Sequence, residues 1–418
     1  MDFDTSDSDD SNDSLNEENW SNALQRIREN DALTKKLFAW GRVSFIHDID
    51  DREWEQLGRD ISNNSHMKRV EFFDDALNDH KMSFLFRGLT RSSSITNMDL
   101  VENGLSVGGV RCMVPFLQNA NNLHSLNLRG NNLQSEGFNL LFRALSDNPI
   151  EKLFCNDCGI ESIEINSEHI PRNLKMLRLA DNSIDADGCC ELVKLLQGGD
   201  SILNSLNLRN NKIDDEGVAI LVDALKNNTS LGELILEKNT SMSIQGRIKL
   251  LKLVNDVSSI KATLRSNHTL NHLWVGPYNE EKQIQTLISI ATHINSDESS
   301  PEAAGREKVI WTQLNTETRA KLAELQGVSQ SLYSEIDPLH LPEVLSLVGH
   351  HHGHEELYLA LKASIAGALS TVNRKECILQ RRDYLLAEVA KLDAELAAIG
   401  AAEGREGNVG RNKRHRAC

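Results

Sequence analysis

The sequence predicts an α/β solenoid, with parallel strands along one side and helices along the other. Three observations predict it. Apolar residues recur in a fixed frame, as in Leu123, Leu126, Leu128, Asn131, Leu133 and again in Leu203, Leu206, Leu208, Asn211, Ile213; Leu174, Leu177, Leu179, Asn182, Ile184 repeat it, as do Leu231, Leu234, Leu236 and Asn239. The fourth frame position advances by a near-constant step through Val43, Val70, Met98, Leu126, Leu153, Leu177, Leu206 and Leu234, at intervals of 27, 28, 28, 27, 24, 29 and 28 residues. Each strand-like segment of period two then gives way to a helical spacing, as in Gly137 followed by Leu140, Leu141, Ala144 and Leu145, or Gly217 followed by Leu221, Ala224 and Leu225. A fixed period of this length means stacked repeats rather than one globular core. Each unit has room for a strand and a full helix.

Taken in order, residues 1–19 form an acidic tail; the first 18 carry eight Asp or Glu and no Lys or Arg, too little apolar surface to order the chain. Residues 20–39 read as an N-terminal helical cap, with Trp20, Leu24, Ile27, Leu33 and Leu37 hiding the open end of the array. The repeats occupy 40–275. In the copy at 150–173 the unit is short, and Ile163, Ile165 and Ile170 stand where a regular helix is expected. Residues 276–328 read as a C-terminal cap: Leu270, Leu273 and Val275 make the strand before it, Ile284, Leu287, Ile288, Ala291 and Ile294 an amphipathic helix, 295–306 a polar loop, and Val309 to Leu314 a last strand, with Asn315 capping the helix that follows.

From 329 to 372 a helical segment is expected, with Leu357, Leu361, Ile365, Leu369 and Val372 on one face. Residues 373–403 carry a heptad register (Ile378, Leu385, Leu392, Ile399, with Val389 and Leu396), broken by Arg382, that suits a short coiled coil forming a homodimer or a helical hairpin. Residues 404–418 are a basic tail.

The repeat frame resembles the ribonuclease-inhibitor type of leucine-rich-repeat proteins over about residues 40–275. The resemblance implies a curved horseshoe with strands on the concave face and helices on the convex one. The frame's Asn can bond backbone groups freed where the chain turns out of the strand, so Asn103, Asn131, Asn182, Asn211 and Asn239 are expected as a buried structural ladder. Asp48, Asp75 and Cys158 replace that Asn in three copies.

A net charge of −16 argues against a general nucleic-acid binder. There is no apolar run of transmembrane length, and the N-terminus lacks a secretory pattern. Seven cysteines, mostly at core positions, fit free thiols and an intracellular protein, cytoplasmic or, through Lys413 to Arg416, nuclear. No phosphate loop or GxGxxG occurs. Cys155 and Cys158 have ligand spacing but fall on frame positions that want buried groups. His350, His351, His352 and His354 cluster, and His354-Glu355 starts an HExxH that ends in Tyr358. No enzyme, cofactor or metal site is expected.

The expected functional surface is the concave wall. If frame positions four and six face the core, positions three, five and seven line that wall. They are Ser125, Asn127, Arg129; Lys152, Phe154, Asn156; Met176, Arg178, Ala180; and Ser205, Asn207, Arg209; the next repeat brings Glu233 and Glu237 around Ile235. Four of the first twelve are basic and none is acidic. The wall is therefore expected to bind a protein partner with an acidic surface through Arg129, Lys152, Phe154, Met176, Arg178, Asn207, Arg209 and Ile235, the acidic tail being its competitor within the chain. Arg suits carboxylates, and interface energy concentrates in such residues. Two alternatives remain beside this binding module. One is an activator of a small GTPase, from a family that shares the repeat and carries an acidic segment after it rather than before. The other is a ubiquitin-ligase adaptor, from an F-box-like start at Leu341 to Leu345.

Overall fold

The computed structural model describes residues 17–41, 48–74, 77–197, 201–276, 282–297, 300–314 and 316–328. Strand and helix alternate along them. Helix α1 (Glu17–Arg28) precedes β1 (Lys36–Trp40), followed by α2 (Asp51–Asn63), β2 (Arg69–Phe73), α3 (Asp79–Gly88), β3 (Asn97–Val101) and α4 (Val107–Leu117). Next come β4 (Ser125–Asn127), α5 (Gln134–Ala144), β5 (Lys152–Phe154), β6 (Met176–Arg178), α6 (Ala186–Leu192), β7 (Ser205–Asn207), α7 (Asp215–Leu225) and β8 (Glu233–Ile235). After α8 (Ile244–Val254), α9 (Ile260–Leu264) and β9 (His272–Trp274) come α10 (Lys282–Asp297), α11 (Pro301–Leu314) and α12 (Thr316–Leu325). The nine strands form one open sheet in sequence order, every neighbouring pair parallel. This is a leucine-rich-repeat solenoid. The chain divides into two units, residues 1–308 and 309–418, and the sheet lies wholly in the first.

The frame leucines build the core because alternate strand side chains point to opposite faces. Val70, Leu126, Leu153, Leu177, Leu206 and Leu234 are all buried and in register, and the helices pack their own apolar sides beside the next helix in line. Helices start where a side-chain oxygen accepts a free backbone N–H: Asn78 from Lys81, Ser106 from Gly108, Asp185 from Gly188, Asp214 from Gly217, Ser243 from Gln245.

The turn out of each strand repeats as closely as the strand. The residue before the ladder position has positive φ in seven successive units: Asp74, Glu102, Gly130, Asp157, Asp181, Asn210 and Lys238. The expected ladder follows. Asn131 Nδ2 donates to Leu100 O and Leu128 O, both at 2.7 Å, and its Oδ1 accepts from the N–H groups of Asn103 and Leu105, both at 3.0 Å. Asn239 does the same for Asn211 and Ile213. Each amide thus ties its own repeat to the one before. Cys158 keeps a weak form of the bond, its Sγ donating to Leu128 O at 3.2 Å. No helix lies between β5 and β6.

A second asparagine series, not anticipated from the frame, sits on the way into the strands. Asn64, Asn148, Asn228 and Asn267 donate to carbonyls of the preceding unit: Ile27, Leu117, Leu196 and Leu225 respectively. At the far edge of the sheet Gln285 of α10 completes β9. Its Oε1 accepts from Val275 N–H at 2.8 Å and its Nε2 donates to Leu273 O at 3.1 Å.

Five local expectations need correction. The first strand is Lys36–Trp40, with Leu37 rather than Val43 in register with Val70; Val43 lies outside the described residues. Leu37 is therefore a strand residue, and Leu33 is 79% exposed rather than part of a cap helix. The polar stretch 295–306 is mostly helical, since α10 runs to Asp297 and α11 begins at Pro301, a residue suited to the first turn. Val309 to Leu314 continue α11 and are not a strand. Residues 1–16 of the expected tail, Asp75, Asn315, the 329–372 segment with its 341–345 and His350–His354 stretches, the heptads and the basic tail lie outside the described residues, while Glu17 to Asn19 open α1 and are not part of a tail. No helix among those described is long and apolar enough to cross a membrane.

Candidate partner-binding face

One face of the sheet is covered by helices; the other carries frame positions three, five and seven of every unit, now including β1 to β3 and β9. Short parallel strands in register place these side chains in rows about 4.8 Å apart.

At the β1 end the face is aromatic and charged. Phe38 lies 5.6 Å from Phe73 and 6.5 Å from Trp40, centroid to centroid. Trp40 is 42% exposed and its Nε1 donates to Asp74 Oδ2 at 3.0 Å. Glu71 holds two cations, Lys36 Nζ at 2.8 Å and Arg69 Nε at 3.2 Å. Asp99, its register partner on β3, is half-buried. Burial, and then the charge of Glu71, push the Asp99 carboxyl up to about 6, against the pull of an Asn127 hydrogen bond and of Arg69 and Lys36.

In the centre stand the residues singled out from the sequence. Arg129, in the turn after β4, and Lys152, on β5, are exposed, and neither forms an ion pair among the described residues. Phe154 and Met176 are half-buried beside them, Lys152 pairing with Met176 and Phe154 with Arg178 in the β5–β6 register. Arg178 has turned toward the next strands: its Nη2 lies 3.8 Å from Glu233.

At the β9 end the charges close on one another. Arg209 Nε is 2.5 Å from Glu237 Oε1, and Trp274 Nε1 donates to Glu237 Oε2 at 2.5 Å. Ser205 donates to Glu233. His272 and Trp274 stack at 6.4 Å with an interplanar angle of 10°. Ile235 is half-buried. Asn207 is buried and its Oδ1 accepts from Arg209 N–H at 2.9 Å, so it braces the turn.

The eight residues therefore lie on one face, but they are not equivalent. Two of the four cations are engaged with carboxylates two strands or one strand away, and two are not. The sequence reading missed Phe38, Trp40, Phe73, Asp99 and Trp274 as members of the face. The signal was present in the frame: Phe38 and Trp40 follow Leu37, Trp274 follows Leu273, and Phe73 and Asp99 belong to the units of Val70 and Met98, where the same alternation applies.

Cys155 and Cys158 sit behind this face. Both are fully buried, and the Cys155 thiol is pushed up by its hydrogen bond with Cys158 and by burial. No group of three or more His, Cys, Asp or Glu among the described residues is placed to hold a metal.

No family model and no curated protein matches the chain. Several solved structures align with it at low identity. The actin-binding site 2 of leiomodin-1 aligns at 17% identity and TM-score 0.29, over 32% of this chain and 78% of that one. Rad7 in its complex with Elc1 from yeast aligns at 16% and 0.41, over 62% of this chain and 60% of that one. The C-terminal domain of tropomodulin from Caenorhabditis elegans aligns at 10% and 0.18, over 66% and 93%.

Proposed function

We propose that this chain is a non-enzymatic protein-interaction module of the ribonuclease-inhibitor-like kind, which presents the open face of its sheet to an acidic segment of a protein partner. The array of residues 40–275, with the earlier strand at 36–40, is the recognition unit, and the C-terminal segment 329–403 is a second contact region. The observation that carries this reading is the state of the cations. Arg129, in the turn after β4, and Lys152, on β5, stand exposed with no carboxylate partner among the described residues, beside the half-buried Phe154 and Met176. Arg178 and Arg209, by contrast, already lie against carboxylates of the face, Glu233 and Glu237. An exposed cation next to apolar surface is what a carboxylate-bearing partner uses.

The test is affinity capture from a native extract with mass spectrometry, comparing wild type with Arg129→Glu/Lys152→Glu. Partners kept by wild type and lost by the variant support the reading. Identical partner sets would remove the open face from the function. The small-GTPase and ubiquitin-ligase readings draw no support from the described residues.

A further inference from the structure

We propose that the open face selects a partner segment of mixed charge, with a Lys or Arg side chain seated on Asp99 and a carboxylate seated on Arg129 and Lys152. The inference rests on the proposed binding function and specifies its partner.

Asp99 lies between Glu71 on β2 and Asn127 on β4, all three in register on the open face. The two carboxylates are one strand spacing apart, but the nearby cations serve only one of them. Lys36 and Arg69 both pair with Glu71, and Asp99 has no ion pair among the described residues. The demand for donors is not met even at Glu71. That residue is 5% exposed, and its Oε1 is buried without accepting a hydrogen bond, although Arg69 Nε lies 3.2 Å away. A buried acceptor left in this state adds to the unbalanced negative charge beside Asp99. Burial first, and then the charge of Glu71, raise the proton affinity of Asp99, so its carboxylate lacks compensation in the free protein.

A guanidinium or ammonium group from a partner answers this by pairing with Asp99, its charge also offsetting that of Glu71 one strand away. Its aliphatic stem would run over the half-buried Val101 and Phe73 on the same face. Arg129 and Lys152 lie one and two strands further along, roughly 5–10 Å, which two or three residues of extended chain span. A purely acidic segment crossing the face would instead bring like charge against Asp99.

The experiment pans a phage-displayed library of random 12-residue peptides against the full chain at neutral pH. The expected winners carry Lys or Arg two to four positions from Asp or Glu. A synthesised winner should lose at least tenfold in affinity toward Asp99→Asn, and changing the peptide's own cation to Ala should cost as much in wild type but little more in that variant. Asp99→Asn is nearly isosteric, and its thermal melt shows whether it is folded. Winners that are acidic only, bind Asp99→Asn as well as wild type, and are lost by Arg129→Glu/Lys152→Glu would overturn the mixed-charge proposal while leaving the binding function intact. Absence of enrichment, or winners indifferent to all three substitutions, would overturn both.

Discussion

Arg209 and Glu237 face each other across one strand spacing, Nε to Oε1 at 2.5 Å, and Trp274 holds the second oxygen of the same carboxylate. This contact makes Arg209 part of the fold's own bonding, whereas Arg129 and Lys152 are open to a partner. The two kinds of cation should therefore separate experimentally. Reversing Arg129 and Lys152 to Glu should abolish partner capture with little change in thermal stability. Reversing Arg209 to Glu should place two carboxylates in contact and cost about 1–3 kcal/mol of stability. Capture assays and melting curves on the same proteins would distinguish them.

Gly58 and Gly88 sit where α2 and α3 touch backbone to backbone. A Cβ on Gly58 would lie 2.0 Å from Leu85 O, and one on Gly88 would lie 2.1 Å from Glu55 O. Neither carbonyl can move without shifting its helix. Gly58→Ala or Gly88→Ala should each destabilise the N-terminal repeats by about 3 kcal/mol. The double substitution should cost less than the sum, because separating the helices once accommodates both methyl groups. Denaturant titration of the three variants gives the result.

Cys158 occupies a ladder position, and the loss is visible one repeat back. Elsewhere the ladder Oδ1 accepts two N–H groups of the preceding unit, as Asn131 does for Asn103 and Leu105. The corresponding N–H groups of Asn131 and Leu133 have no such acceptor among the described residues. Cys158→Asn should supply it and strengthen the bond to Leu128 O, raising stability by about 1 kcal/mol. Asn131→Ala should lower it by several times that amount. An Asn at 158 that melts earlier than wild type would mean that the site cannot take the larger amide.

These two substitutions also show what a sequence discloses. The ladder was legible because its chemistry demands one residue type at one frame position, and Cys158 stood out as the exception. The β1 strand was misplaced because Leu37 is separated from Val70 by 33 residues, longer than the later steps, while Val43 fits the period by chance. Val309 to Leu314 looked strand-like because apolar alternation over six residues does not distinguish a strand from a helix that the preceding Pro301 starts. The face residues were legible from period two. Their pairing was not, because Arg178 reaches Glu233 two strands on, a contact no linear pattern encodes.

Asp99 should show a conflict between stability and recognition. Its carboxyl, held at about 6 in the folded chain against an ordinary 3.8, binds a proton more readily folded than unfolded. Stability from this group is present below pH 3.8 and is lost as pH rises through 6. Asp99→Asn removes that loss, so at pH 7.5 the variant should be more stable than wild type by on the order of 1 kcal/mol, the partial exposure of the site being allowed for. Near pH 4 the two should converge. Paired melts at the two pH values would check it, and a variant less stable at pH 7.5 would show that the carboxylate serves the fold.

Lys308 provides the opposite pH dependence. Its side chain is fully buried, with Nζ donating to Val254 O at 2.7 Å, Asn267 O at 3.3 Å and His268 Nδ1 at 3.1 Å. Accepting at Nδ1 requires His268 to be neutral there, and burial, then Lys308, hold that imidazole down to about 4. Burial likewise lowers Lys308 from 10.5 to about 7. Between pH 7 and 10.5 the unfolded chain keeps a proton on Lys308 that the folded chain has released, so raising the pH favours the folded state. His268 acts in the same sense lower down: as pH falls from 6.5 toward 4, the unfolded imidazole takes a proton that the folded one refuses, and stability is lost. Substituting Lys308 by Met keeps most of the stem and removes the upper titration. The unfolding free energy of wild type relative to Lys308→Met should therefore rise from pH 7 to pH 10. A flat difference over that range would mean that the ammonium stays charged when folded, held by its carbonyl acceptors against the cost of burial.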